Sequence, residues 1–229
     1  MKTKQAAILC GGLGTRLIPV TSKIPKCMVS VAGKPFLEYV LLHLKKQGIK
    51  KALLLTGYLH GQIKEYFGNE FEGIEIEYSP EGSPLGTGGA LKNAKGKLEE
   101  TFFLLNGDTY FPVALGELET ALLKNKSALA VLSAYLNSEK IAPNNLLVDD
   151  EEKILQYGGK NCNCVDAGAS VWRKESLRLI KTVPCSLEKD IYPELIKHGY
   201  IYASKTDVRF YDIGTFERLK IAEEFFKGR

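Results

Sequence analysis

Three glycines, an arginine and two lysines crowd the segment CGGLGTRLIPVTSKIPKCM, which follows the first apolar run of the chain. Gly11, Gly12 and Gly14 lack Cβ atoms, so their backbone amides can approach an anion closely and curl around it. Arg16 offers a planar fork and Lys26 a mobile point charge to the same anion. Together they describe a polyphosphate cradle, with a structural turn as the alternative reading of the glycines. Spacing excludes two familiar loops: GxxxxGK[ST] is absent, and a dinucleotide fingerprint needs glycine where Leu17 stands.

Two aspartates close apolar runs. In FFLLNGDTY, Asp108 arrives two residues after a run of buried-strand character, with Gly107 allowing a sharp turn. In DVRFYDIGT, Val208, Phe210 and Asp212 share one face of an expected strand, so an apolar face ends in a carboxylate beside Gly214. The bland alternatives are a turn cap for Asp108 and a helix-entry residue for Asp212. Hard carboxylate oxygens suit Mg²⁺, which takes one or two protein carboxylates and fills its shell with phosphate and water. With a cationic glycine loop and no serine or cysteine nucleophile constellation, these residues point to Mg²⁺-dependent phosphoryl or nucleotidyl transfer.

The elements that must position them alternate. Strand-like QAAILC, KALLLT, GIEIEYS and TFFLLN are separated by helical PFLEYVLLHLKKQGI, GQIKEYFGNE and GTGGALKNA. That alternation predicts an α/β fold with a mostly parallel sheet, in which ligands sit beyond the carboxyl ends of the strands. After helical LGELETALLKNK comes a β-rich part (SALAVLSAYL, NNLLVDD, KILQYG, CVDAGASVW). Helical KESLRLIKT and SLEKDIYPELIKHG, strands YIYAS and DVRFYDI, and a last helix GTFERLKIAEEFFKG complete the chain. Residues 1–229 are expected to form one domain, 1–112 binding a nucleotide and 113–229 extending the sheet and walling the second substrate.

Charged residues make up 25 % of the chain, and its net charge of +4 is spread without a basic block, so a nucleic-acid partner is not expected. The first apolar run is shorter than a signal h-region of about 7–15 residues, and no run approaches the roughly 20 residues of a membrane span. A cytoplasmic protein without a membrane partner is expected. The odd set Cys10, Cys27, Cys162, Cys164 and Cys185 is read as ordinary thiols, and His43, His60 and His198 lack ligand spacing.

In order along nearly the whole chain, ILCGGLGTRL, SKIPKCM, GKPFLEYVLLHLKKQGI, SPLGTGGAL, LLNGDTYF and FYDIGTFERL resemble the sugar-1-phosphate nucleotidyltransferases, or nucleoside-diphosphate-sugar pyrophosphorylases. The match is nearest to the D-glycero-D-manno-heptose 1-phosphate guanylyltransferases, with mannose-1-phosphate guanylyltransferases near by. The resemblance implies a Rossmann-like three-layer fold with a mostly parallel mixed central sheet. It also implies transfer from an NTP to a sugar 1-phosphate with release of pyrophosphate, and Mg²⁺ as cofactor. By the same resemblance Leu9, Gly11, Gly12, Gly14, Thr15, Arg16 and Thr87 hold the nucleotide. Arg16, Lys26 and Asp108 serve catalysis, and Asp108 and Asp212 bind the metal. A homodimer is compatible with the family.

Glu81 and Gly86, in SPEGSPLGTGGAL, correspond to base-contacting positions. A carboxylate only accepts hydrogen bonds, and guanine presents two adjacent donors on its Watson–Crick edge, so Glu81 favours GTP. The alternatives are a solvated turn glutamate, or thymidylyl, cytidylyl or uridylyl transfer on the same fold. Tyr58 borders the same pocket or packs at a strand end. On the sugar side the candidates are Asn144, Lys160, Asp166 and Gly168, and here the chain departs from its relatives. Pro143 and Asn144 replace a Tyr-Gly pair, Gly159 replaces the acid before Lys160, and Asp166 stands where asparagine is common. Glu188 and Asp190 read as first-turn acids after Ser186, or as carboxylates reaching the sugar. A nucleotide-sugar sensor without turnover is the competing class. A nicotinamide oxidoreductase lacks both its third glycine and a ribose-binding acid after the second strand.

Overall fold

A computed structural model describes residues 1–12 and 14–228. In chain order the elements are β1 (Gln5–Cys10), β2 (Ser30–Val31), β3 (Lys34–Pro35), α1 (Phe36–Lys46), β4 (Lys51–Thr56), α2 (His60–Phe67), β5 (Glu70–Phe71), β6 (Ile74–Pro80) and α3 (Gly86–Asn93). There follow β7 (Thr101–Asn106), β8 (Thr109–Tyr110), α4 (Leu115–Lys124), β9 (Ala130–Tyr135), β10 (Leu146–Val148), β11 (Ile154–Tyr157), β12 (Val165–Arg173), α5 (Tyr192–Lys197), β13 (Ile201–Thr206), β14 (Tyr211–Asp212) and α6 (Phe216–Phe226).

Among the described residues one eight-stranded sheet runs in the order β13-β9-β12-β7-β1-β4-β6-β5. The pairs β1·β4, β1·β7, β4·β6 and β13·β9 are parallel, whereas β12 lies antiparallel between β7 and β9. The apolar runs become its middle because both of their faces are covered. Ala6 and Ile8 pack with α1, α2, α4 and α6, while Ala7, Leu53 and Leu55 pack with α3 and α5. Three layers result, as expected of the α/β pattern. Among the described residues no helix is long and apolar enough to cross a membrane.

Helix α1 stops at Gln47, where Gly48 turns with φ +79, close to the predicted end. Three expectations need correction. The segment 207–213 is not a strand of the main sheet: only Tyr211–Asp212 is extended, paired with Thr109–Tyr110 in a separate ribbon. The expected apolar face fails at Val208, which is 39 % exposed, because the chain turns through a Val208 N–H bond to Thr206 Oγ1. KESLRLIKT forms a 3₁₀ segment at Lys174–Leu179 in place of an α-helix. SLEKDIYPELIKHG divides into a π-helical turn, Leu187–Ile191, and the short α5; Ser186 caps the turn by accepting from Lys189 N–H at 3.2 Å.

Candidate active site

The order of strands reverses around β1, with β4 and β6 to one side and β7 to the other, and a crevice opens beyond their carboxyl ends. A cavity of about 420 Å³ fills it. Leu9, Gly11, Gly12, Lys26, Glu81, Gly86, Thr87 and Asp108 line it, and all of these were anticipated. Asn106 and Glu188 line it as well.

At the phosphate end, Gly14 adopts φ +62 and opens the 3₁₀ turn Thr15–Leu17, which buries Leu17 and leaves Thr15 and Arg16 exposed. The Thr21 hydroxyl donates to Gly14 C=O at 2.8 Å, and a Cβ on Gly14 would lie 2.8 Å from Thr21 Cγ2. Arg16 reaches across to Gly214. After Pro25 the chain returns so that Lys26 Nζ pairs with the carboxylate of Asp108. Asp108 is followed at once by β8. Pairing of Thr109 with Asp212 across the ribbon, and Ile213 N–H donating to Asp108 C=O at 3.1 Å, bring the two aspartates' backbones together. Asp212 stands outside the cavity lining, accepting from Gly214 N–H at 2.8 Å and from Arg218 Nη1 at 2.9 Å. The donor set suits a hard divalent cation: it is all oxygen, and Asp108 Oδ1 has only a 3.3 Å contact from the Thr109 hydroxyl. Cys10 is buried here; a hydrogen bond with Cys27 and then burial push its thiol up, so it is not a ready nucleophile.

At the other end of the loop, Glu81 Oε2 accepts from Leu85 N–H at 3.1 Å. Its Oε1 lies over the glycines, 3.0 Å from where a Cβ of Gly11 would be and 2.8 Å from that of Gly57. A larger residue at either place would displace this carboxylate. Gly86, at φ +75, packs on the backbone of Cys185.

The four sugar-side candidates separate. Asp166 is clasped by Gly168 N–H at 3.0 Å and contacted by the Tyr157 hydroxyl at 3.4 Å. Burial pushes its carboxyl up to about 6; the Gly168 bond opposes this and the charge of Glu188 adds to it. Burial, then the charges of Asp166 and Glu188, likewise raise Tyr157, which stays a neutral donor. Gly168, at φ +77, brings β12 so near the end of β7 that a Cβ would fall 2.7 Å from Asn106 Nδ2. Asn144 and Lys160 are exposed, and none of the four candidates lines the cavity. The Asn144 side chain donates to Cys162 C=O at 3.1 Å and accepts from Asn137 at 2.6 Å, tying a loop. Its neighbour Asn145 is the residue that meets Asp166, accepting from its N–H at 2.8 Å. Sequence reasoning passed over Asn145 and Asn106. Asn106 sat two residues before a recognised aspartate, a signal that was available; Asn145 had none, since its role depends on how β10 meets β12.

The nucleotidyl transferase family profile matches residues 5–227. The chain is 43 % identical over 157 residues to D-glycero-alpha-D-manno-heptose 1-phosphate guanylyltransferase of Campylobacter jejuni, covering 68 % of this chain and 71 % of that protein. It is 35 % identical over 219 residues to the protein of the same name from Aneurinibacillus thermoaerophilus, covering 92 % and 93 %. The crystal structure of HddC from Yersinia pseudotuberculosis superposes with a TM-score of 0.83 at 29 % identity, over 98 % of this chain and 100 % of that one, and HddC is also known complexed with GMP-PN. With the family profile spanning nearly the whole chain and the mixed three-layer sheet superposing on that of HddC, the chain belongs to the nucleotidyl transferase family.

Proposed function

We propose that the protein transfers GMP from GTP to D-glycero-α-D-manno-heptose 1-phosphate, giving GDP-heptose and pyrophosphate. The observation that carries this reading is one cavity lined together by Gly11 and Gly12 of the glycine loop, by Lys26 and Asp108, and by the carboxylates Glu81 and Glu188. An oxygen of the sugar phosphate attacks the α-phosphorus; the bond from that phosphorus to the β-bridging oxygen breaks, and its electron pair leaves with pyrophosphate. The attacking group is already an anion, so the chain need supply no base. Its work is positioning and charge neutralisation.

Amides at Gly11 and Gly12 face the triphosphate, with Arg16 at the loop's outer edge. Lys26, now paired with Asp108, is placed to turn to the α-phosphate and the incoming sugar phosphate. Glu81 accepts from guanine N1–H and N2–H, and Asp166 and Glu188 accept from sugar hydroxyls. Asp108 and Asp212 would hold Mg²⁺, which supplies further neutralisation at the α-phosphate when bound. The test is pyrophosphate release with Mg²⁺ from four ribonucleotides and dTTP, each paired with heptose and hexose 1-phosphates. Release with GTP and the heptose phosphate is expected. Preference for mannose 1-phosphate would reassign the sugar, and release only with a pyrimidine nucleotide would overturn the role of Glu81.

A further inference from the structure

The run GTGG at residues 86–89 does more than open helix α3. Segment 183–188, far along the chain, is laid directly upon it. Cys185 N–H donates to Leu85 C=O at 2.8 Å, and the N–H groups of Gly88 and Gly89 both donate to Cys185 C=O, at 2.9 and 3.1 Å. Cβ atoms on Gly88 and Gly89 would come within 2.9 Å of Cys185 Sγ and 3.1 Å of Val183 Cγ1. These glycines therefore permit a close approach of two segments.

At the inner end of this seam stands Thr87. Its hydroxyl donates to Glu188 Oε2 at 2.9 Å and accepts from Leu187 N–H at 2.8 Å. Glu188 Oε2 also accepts from the Ser186 hydroxyl at 2.6 Å. One carboxylate oxygen is thus held by two hydroxyls from different segments, while the residue lines the cavity. Charge-assisted bonds of this kind fix orientation well. The segment that carries Thr87 is also the one anchored to Glu81 through Leu85 N–H. Base end and sugar end are joined by a short chain of hydrogen bonds.

We propose that Thr87 is a positioning residue for the sugar 1-phosphate: its hydroxyl aims the Glu188 carboxylate so that Oε1 accepts a sugar hydroxyl, and it thereby couples the sugar end to the seated base segment. This rests on the guanylyltransferase reading above. Thr87 touches the nucleotide half by position and serves the sugar half through its side chain.

Steady-state kinetics with GTP and the heptose 1-phosphate test it. Thr87→Val should raise the KM for the sugar phosphate by about tenfold, with a much smaller change in the KM for GTP, and Thr87→Ser should restore it. Glu188→Gln should raise the same KM, and the Thr87→Val/Glu188→Gln double variant should be little worse than the worse single one. Thermal melts accompany each variant, and Thr87→Ala replaces Thr87→Val if the latter does not fold. A rise confined to the KM for GTP, or additive effects in the double variant, would overturn the positioning role while wild-type turnover leaves the functional reading intact. Absence of wild-type turnover with every substrate pair would overturn both together.

Discussion

Lys26 and Asp108, 82 positions apart in sequence, form an ion pair where the phosphate loop returns to the end of β7. Both line the cavity, and cation and carboxylate neutralise each other there. Asp108→Ala should therefore lower kcat by about 10²- to 10³-fold without weakening pyrophosphate binding, because Lys26 is released to the anion. Lys26→Ala should lower kcat comparably and weaken pyrophosphate as well. Steady-state rates and pyrophosphate inhibition constants for both variants check this; equal weakening of pyrophosphate by both would rule out the neutralisation argument.

Asp108 immediately precedes β8, and Asp212 stands on β14 opposite Thr109, so the ribbon sets the two residues close together. Protein treated with EDTA should lose pyrophosphate release and regain it with Mg²⁺. Asp212→Asn should shift the Mg²⁺ concentration for half-maximal rate upward by about tenfold if Asp212 is one of the two carboxylates proposed to hold the metal. A metal titration of the two proteins reads the shift, and superimposable curves would remove Asp212 from the metal site.

Asp166 is pushed up to about 6, chiefly by burial, so it is protonated below that pH and an anionic acceptor above it. As an acceptor for sugar hydroxyls it is at full strength above about 6, and the KM for the sugar phosphate should rise as pH falls through that value. Stability runs the other way. The folded value lies above the ordinary 3.8, so this carboxyl's contribution is fully present below 3.8 and is lost as pH rises through about 6. Asp166→Asn should abolish the inflection in KM and gain relative stability above pH 6; an unchanged profile would show that another group titrates there.

Gly86, with φ +75 against the Cys185 carbonyl, has room for neither a side chain nor an ordinary backbone. Gly86→Ala should cost about 1–3 kcal/mol in thermal or urea melts and weaken both substrates, because the seam between segments 85–89 and 183–188 must part. Gly96, with nothing near its Cβ position, is the control.

Glu119 is buried and accepts from Lys2 N–H at 2.9 and 2.8 Å and from Thr3 N–H at 2.6 Å. Burial alone would raise its carboxyl, but the Thr3 and Lys2 hydrogen bonds outweigh it and hold the group below the ordinary range. With a depressed folded value, its stabilisation is present above the ordinary 4.5 and is lost as pH falls through the folded value. Glu119→Gln should cost about 1–3 kcal/mol at pH 7, a gap that closes in acid, in paired melts across pH.

Residues next to continuous apolar runs were the legible ones. Gly11 and Asp108 each follow a strand whose burial on both faces is written into its own composition, whereas Glu81 follows the alternating β6, and all three lie just beyond strand ends. Asp212 comes beside Asp108 through the ribbon and not through the expected strand: Val208 and Phe210 alternate on paper, yet Arg209 is drawn to Glu139 and the segment turns. Asn144 and Asn145 show the other limit. Adjacent and chemically identical, they differ in which one the β10–β12 contact directs toward Asp166, and no local pattern encodes that. The glycines of GTGG signalled a close approach but not to whom, since Cys185 lies about a hundred positions away and is brought there by tertiary packing.

The β8–β14 ribbon joins a carboxylate from the middle of the chain to one near its end. On the ribosome, β1, β4, β6 and β7 emerge early and can begin to pair, as their contacts lie within the first half of the sequence. Asp108 nevertheless waits for Asp212, and the seam at Gly86 waits for Cys185. The ribbon and the seam are thus completed only after the segments around Cys185 and Asp212 have been made, so that a nascent chain reaching no further than β7 lacks both.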